Sequence, residues 1–249
     1  IMGYANMTIG RSAWNYGSGM IMGSNEWGAN RYTTDGMTFG LNLDMADVTV
    51  LYASRMNGDS LTNGGTFWGL NAAKSEGDWT ANLLYASQTA TIADVDQDAT
   101  TAMGIDLSYN MMGGNLALNV GYNTYSNGDA TADMDMTSIG ATYNVNDDMS
   151  ISATQTTYGE NGFNMTGSNY GLGSGSWMTH GNMGYLGANQ KDLAIGGTYA
   201  MGGFNLGVTM HTVTDETVGA EEYERNVMEM SLDYSLNDNA GLGVKYATD

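Results

Sequence analysis

The side chains able to do chemistry are few and mostly acidic. The chain of 249 residues carries 27 Asp and Glu against 7 Lys and Arg, with 2 His and no Cys. Without Cys there is no disulfide, no thiolate nucleophile and no thiolate metal site. His180 and His211 sit in no recognisable metal or nucleophile motif, and no Ser, His and acid pattern marks a hydrolase. Residues 171–175 are Gly-rich but lack the following Lys and the βαβ frame of a phosphate loop. The expectation is that the protein is no enzyme. A net charge of −20 also argues against nucleic-acid partners, which need basic clusters.

One metal candidate stands out. Asp94, Asp96 and Asp98 form a D-x-D-x-D run. Clustered carboxylates suit calcium, although the Gly and distal Glu of an EF-hand loop are missing. The expected cofactor content is none, or at most this structural calcium.

The remaining charged residues gain meaning from the elements that carry them. Met103, Ile105, Leu107, Tyr109 and Met111 alternate with Gly104, Asp106, Ser108 and Asn110. One face is oily and the other small and polar, as in a strand set between lipid and water. The design recurs in pairs: 37–43 with 48–53, 66–74 with 79–87, 102–111 with 116–123, 137–145 with 149–156, 193–200 with 204–212, and 227–236 with 240–246. Leu51 blurs the polar face of its segment. Tight turns at 45–47, 75–78, 112–115, 146–148, 201–203 and 237–239 are rich in Gly, Asn and Asp, which tolerate positive φ. The chain has 36 Gly and no Pro, consistent with near-total commitment to paired strands.

The connections alternate short and long. Long ones fall at about 11–30, 55–64, 88–100, 125–133, 158–190 and 215–224. Membrane barrels keep this rhythm, with short turns on one side and long loops on the other. Tyr52, Tyr85, Tyr109, Tyr122, Tyr143, Tyr199, Tyr234 and Tyr246 share the apolar parity and suit an aromatic girdle at the bilayer interface. The expected fold is all-β: one transmembrane, antiparallel, up-and-down β-barrel domain over residues 1–249, of about 14 strands. Counting residues 1–10, about 13 segments are visible, and single-chain bacterial barrels are even-numbered. The last segment runs upward and stops at Asp249. A returning strand is therefore expected beyond this sequence.

If the apolar parity faces lipid, the other lines a pore. That nominates Asn42, Asp44, Arg55, Asp106, Asn110, Asn119, Asn123, His211, Glu229, Asp233 and Lys245. Charges at such positions set ion preference. The longest connection, 158–190, is the candidate for an inward-folded constriction.

The N-terminal stretch is more specific. It reads Met7-Thr8-Ile9-Gly10-Arg11, then Tyr16 and Gly17, Gly23-Ser24-Asn25-Glu26-Trp27, Arg31 and Thr34-Asp35-Gly36-Met37. His180-Gly181, Met183 to Leu186 and Lys191-Asp192-Leu193 form a looser second match. The chain thereby resembles the alginate-export family of outer-membrane barrels, in forms common in Bacteroidota. The resemblance implies membership of a barrel of roughly 18 strands. It also implies that Arg11 and Arg31 point into the pore, as in an electropositive conduit for a polyanion. With only 7 basic residues, the chain departs from that conduit.

The expected function is a porin or channel of the bacterial outer membrane. It would pass small hydrophilic solutes or ions by passive diffusion, or export a polysaccharide. Its partners would be lipid, lipopolysaccharide and, in a homotrimer, further copies of itself; a monomer is the alternative state. A structural or adhesive surface β-protein without transport activity is the competing expectation.

Overall fold

The computed structural model describes residues 5–23, 33–56, 64–93, 95–128, 130–163, 186–215, 217, 224–237 and 240–248. The described strands are β1 (Ala5–Ser12), β2 (Thr34–Asn42), β3 (Asp47–Met56), β4 (Gly64–Glu76), β5 (Trp79–Ile92), β6 (Val95–Asp96), β7 (Thr100–Met111), β8 (Leu116–Ser126), β9 (Met134–Asn146), β10 (Met149–Tyr158), β11 (Gln190–Met201), β12 (Phe204–Asp215), β13 (Glu224–Asn237) and β14 (Ala240–Thr248). They form a single 14-stranded sheet in which each long strand pairs antiparallel with the next, and the two-residue β6 folds back on β5. Among the described residues, no pairing joins β1 to β14, and the sheet fits part of a barrel. No described helix is long and apolar enough to cross a membrane, so any crossing is by strands.

Period-two alternation decides the two faces. Large apolar residues stand exposed on one parity of every long strand: Ile9 on β1, Trp68 on β4, Leu107 on β7, Ile139 on β9, Ile195 on β11 and Val244 on β14 among them. An apolar surface of this extent is unstable in water and suits a hydrocarbon surround. Trp79, Tyr109, Tyr143, Tyr199, Phe204 and Tyr234 lie on this parity within a few residues of the tight turns. They form a turn-side aromatic band, in which Phe204 stacks on Tyr234 with ring centroids 4.3 Å apart. Toward the loops, Tyr52 pairs with Trp68, whose ring meets Tyr85 at 5.1 Å.

The tight turns follow local chemistry. Between β7 and β8, Met112, Gly113 and Gly114 all take positive φ. Between β9 and β10, the Asn146 side chain accepts the Asp148 N–H at 2.9 Å. Gly202 and Gly203 take positive φ between β11 and β12.

The connection expected over 88–100 is shorter than the sequence implied. Strand β5 runs on to Ile92, β6 pairs with it, and β7 starts at Thr100. Alternating Thr, Ala and Ile continue the pleat past the polar residues that suggested a loop. The connection expected over 11–30 falls between β1, which ends at Ser12, and β2, which starts at Thr34; β10 ends at Tyr158 and β11 starts at Gln190, and β12 ends at Asp215 and β13 starts at Glu224.

Candidate functional site

The opposite parity forms the inner face. Toward the loop ends, Leu51, Ala53, Phe67, Leu84, Ala86 and Ala102 build an apolar layer on β3, β4, β5 and β7. The sequence gives this layer one visible sign, the Leu51 that interrupts its polar face; Leu51 is 0% exposed. The layer exists because residues 13–23, between β1 and β2, fold inward onto it. Trp14, Met20, Ile21 and Met22 are buried in the same cluster. Trp14 meets the Phe67 ring at 5.6 Å and donates its indole N–H to Ser12 at 3.0 Å.

Small residues in the wall make room for this loop. A Cβ at Gly36 would come within 3.0 Å of the Trp14 ring, and one at Gly104 within 3.0 Å of the Ile21 methyl. Gly17 holds φ near +60°, and a Cβ there would lie 2.5 Å from Asp106 Oδ2 and 3.0 Å from Asn82 Oδ1. The Ser18 N–H donates to Asp106 Oδ2 at 2.8 Å. Asn82 is itself held by the Asn71 amide at 3.0 Å. Within the loop, Tyr16 and Met22 form an isolated bridge. Burial pushes the Tyr16 phenol above its ordinary range, so it stays neutral.

Below the loop the inner face is polar and encloses a cavity of about 740 Å³. Gly17, Ser18 and Met20 bound it on one side. Its charged lining comprises Asp106, Asp192, His211 and Glu229, with Asn, Ser and Thr between them. On the far wall, Asp192 of β11 and His211 of β12 are buried, and Asp192 Oδ2 lies 2.7 Å from His211 Nδ1. Glu229 Oε2 of β13 stands 3.9 Å from the other ring nitrogen. Register explains the row. Asp192 pairs with Val213 and His211 with Ala194, so Asp192 and His211 are diagonal neighbours on one face. Glu229 pairs with Thr209, one inward place along from His211.

Of the residues nominated from sequence, Asp106, Asn119, Asn123, His211 and Glu229 meet around this cavity. Asp233 and Lys245 share the inward parity of β13 and β14 but lie outside its lining. Asn110 sits by a turn, where its N–H donates to the Asp78 carbonyl at 2.7 Å. Asn42 and Asp44 stand at the β2–β3 turn beside Lys74, whose ammonium donates to the Asp44 carbonyl at 2.7 Å. Arg55 pairs with Gly65 near the loop end of β3.

Arg11 corrects the resemblance. It shares the parity of Met7 and Ile9 and pairs in register with Asp35 of β2. Its guanidinium grips that carboxylate through two bonds, of 2.9 and 2.6 Å, with side-chain exposures of 70% and 65%. The inward place beside Asp35 belongs to Gly36, which faces Trp14. Arg11 therefore points away from the cavity. Arg31 and Asp94 lie outside the described residues. Asp96 accepts the Thr91 hydroxyl at 2.8 Å, while Asp98 packs beside Gly128. Among the described residues, no three acidic, His or Cys groups gather in a metal-binding arrangement. Most of the connection expected to constrict the pore, 164–185, also lies outside them, although its flanks Phe163 and Leu186 join the inner apolar cluster.

Sequence reasoning missed Asp192, because it started that segment at Leu193, three residues after β11 begins at Gln190. The parity of Leu193 and Ile195 places Asp192 inward and could have found it. It also missed Ser18, whose role rests on a backbone N–H and leaves no sequence signal.

Comparison with known proteins bears on the whole arrangement. A family model described as Gram-negative porin matches residues 3–249. No curated protein matches the chain. Among solved structures, Pseudomonas aeruginosa OccK8 (OprE) is similar with a TM-score of 0.68 at 14% identity, over 98% of this chain and 73% of that one. OccK5 (OpdH) of the same organism gives 0.66 at 12% identity, over 98% and 72%. OccK11 (OpdR) gives 0.66 at 12%, over 98% and 71%. At these identities the likeness shows the fold.

Proposed function

Because the chain belongs to the Gram-negative porin family and is an outer-membrane channel, we propose that it is a cation-preferring pore for small hydrophilic solutes, narrowed by residues 13–23. The carrying observation is the cavity itself. It is bounded by an inward loop, and its charged lining is three carboxylates against one histidine. Fixed negative charge in a narrow, low-dielectric passage concentrates cations and repels anions. Nothing in this reading requires covalent chemistry. The outward apolar face meets lipid, and its turn-side aromatic band sits at one interface.

Export of a polyanion, which the alginate-export resemblance implies, draws less support. Its electropositive conduit would need Arg11 in the pore, and Arg11 faces outward.

Planar-bilayer recording tests the proposal. Under a KCl gradient at neutral pH, the reversal potential should report cation preference with stable conductance steps. Anion preference would overturn the charge argument. A folded barrel that conducts no ions would overturn passage through this cavity.

A further inference from the structure

We propose that His211, held between Asp192 and Glu229, is a protonation-controlled selectivity element in the wall of this pore. The inference rests on the channel reading above and adds what sets its ion preference. His211 is 4% exposed, yet it lines the cavity through which solutes would pass. Asp192 Oδ2 holds one ring nitrogen at 2.7 Å, and Glu229 Oε2 stands 3.9 Å from the other. The first contact fixes the ring; the second, beyond hydrogen-bond length, acts by charge.

The row has two charge states. With a charged imidazolium, two carboxylates and one cation leave a single net negative charge. With a neutral imidazole, both carboxylates are uncompensated by the ring. Histidine is the side chain whose charge changes around physiological pH. Few other groups can blur that change. From β11 only Asp192 faces the ring, since Lys191 takes the outward parity there. From β13 come Glu229 and, farther toward the loop, Arg225, which pairs with Val213. From β14 comes Lys245, opposite Ser231 and diagonal to Glu229. Arg and Lys keep their charge through the neutral range. Across the cavity, Asp106 is engaged by the Ser18 N–H. The imidazole is thus the member of this group that carries a titrating proton between the ordinary carboxylate range and the Lys and Arg range. Because it is shielded from bulk water, its charge acts on passing ions with little screening.

The test compares the folded wild-type protein with His211→Asn in planar bilayers under a KCl gradient, from pH 5 to 10.5. In the wild type, the cation-to-anion permeability ratio should rise about twofold in a single step as pH increases. In H211N the ratio should stay flat, near the wild-type high-pH value. His211→Gln supplies a second neutral side chain if H211N does not yield a heat-modifiable barrel. Lys245→Gln should lower the charge of the wall yet keep the step. Identical pH profiles in wild type and the His211 variants would overturn the proposal, as would loss of the step in K245Q alone. Either result leaves a conducting pore, and so leaves the channel reading standing. A folded barrel silent at every pH would instead remove the channel reading, and this inference with it.

Discussion

The Asp106 carboxylate on β7 accepts the backbone N–H of Ser18 at 2.8 Å, joining residues 88 apart in the chain. Of Asp106's two oxygens, Oδ2 lies against Gly17 and Ser18, while Oδ1 sits over Gly121 of β8. The carboxylate therefore fastens the inward loop as well as adding charge to the lumen. Asp106→Ala should loosen residues 17–18 and raise single-channel conductance, with noisier open states. Asp106→Asn keeps an acceptor oxygen and should hold conductance near wild type while lowering cation preference. Unchanged conductance in D106A would show that this bond does not set the narrow point.

Gly104 leaves the space that Ile21 occupies, with Asn123 Oδ1 beside it. Gly104→Val should push Ile21 off the wall and widen the pore, while the strand tolerates or favours the β-branched side chain. A heat-modifiable barrel with larger conductance is the expected result. A heat-modifiable barrel of wild-type conductance would argue that the loop re-seats without loss.

Phe67 is fully buried on the inner face, in ring contact with Trp14. Phe67→Ala should destabilise the protein by about 3 kcal/mol, the lower end of the range for emptied aromatic core sites. Leu70 is exposed on the lipid face of the same strand, and Leu70→Ala should cost less. Urea unfolding in detergent or lipid compares the two. Equal losses would contradict a packed inner layer.

Ile139 and Ile195 stand on the outward parity of β9 and β11, more than half exposed. A lysine at either place should cost about 2–4 kcal/mol if it lies near the bilayer midplane. Folding into lipid vesicles, followed by heat-modifiable mobility, reads the effect. Wild-type folding yields for both variants would place these faces out of the hydrocarbon.

Arg11 and Asp35 form an exposed pair on that same outward face. Arg11→Gln should leave both reversal potential and conductance unchanged. A clear drop in anion permeability would restore Arg11 to the pore and overturn the register described for β1 and β2.

The strands were legible from sequence because their signal is local. Alternation with a period of two, closed by turns of Gly, Asn and Asp, placed every long strand and its lipid face before any contact was known. The side of Arg11 was legible in the same way, since Met7, Ile9 and Arg11 share a parity; the resemblance to an exporter obscured it. Asp192 was one residue from being found.

What the alternation could not show was which inner residues meet. Residues 13–23 carry no period, and their seat is made by Gly36, Gly104 and Asp106 on other strands. Only the folded sheet brings those strands beneath the loop. Nor does sequence spacing show that His211 lies between Asp192 and Glu229, because diagonal neighbours depend on strand register. Chain-local sterics and hydrophobic pattern determined the two faces and the turns. Register and the inward course of one loop decided which charges share the lumen, because those are relations between segments far apart in the chain.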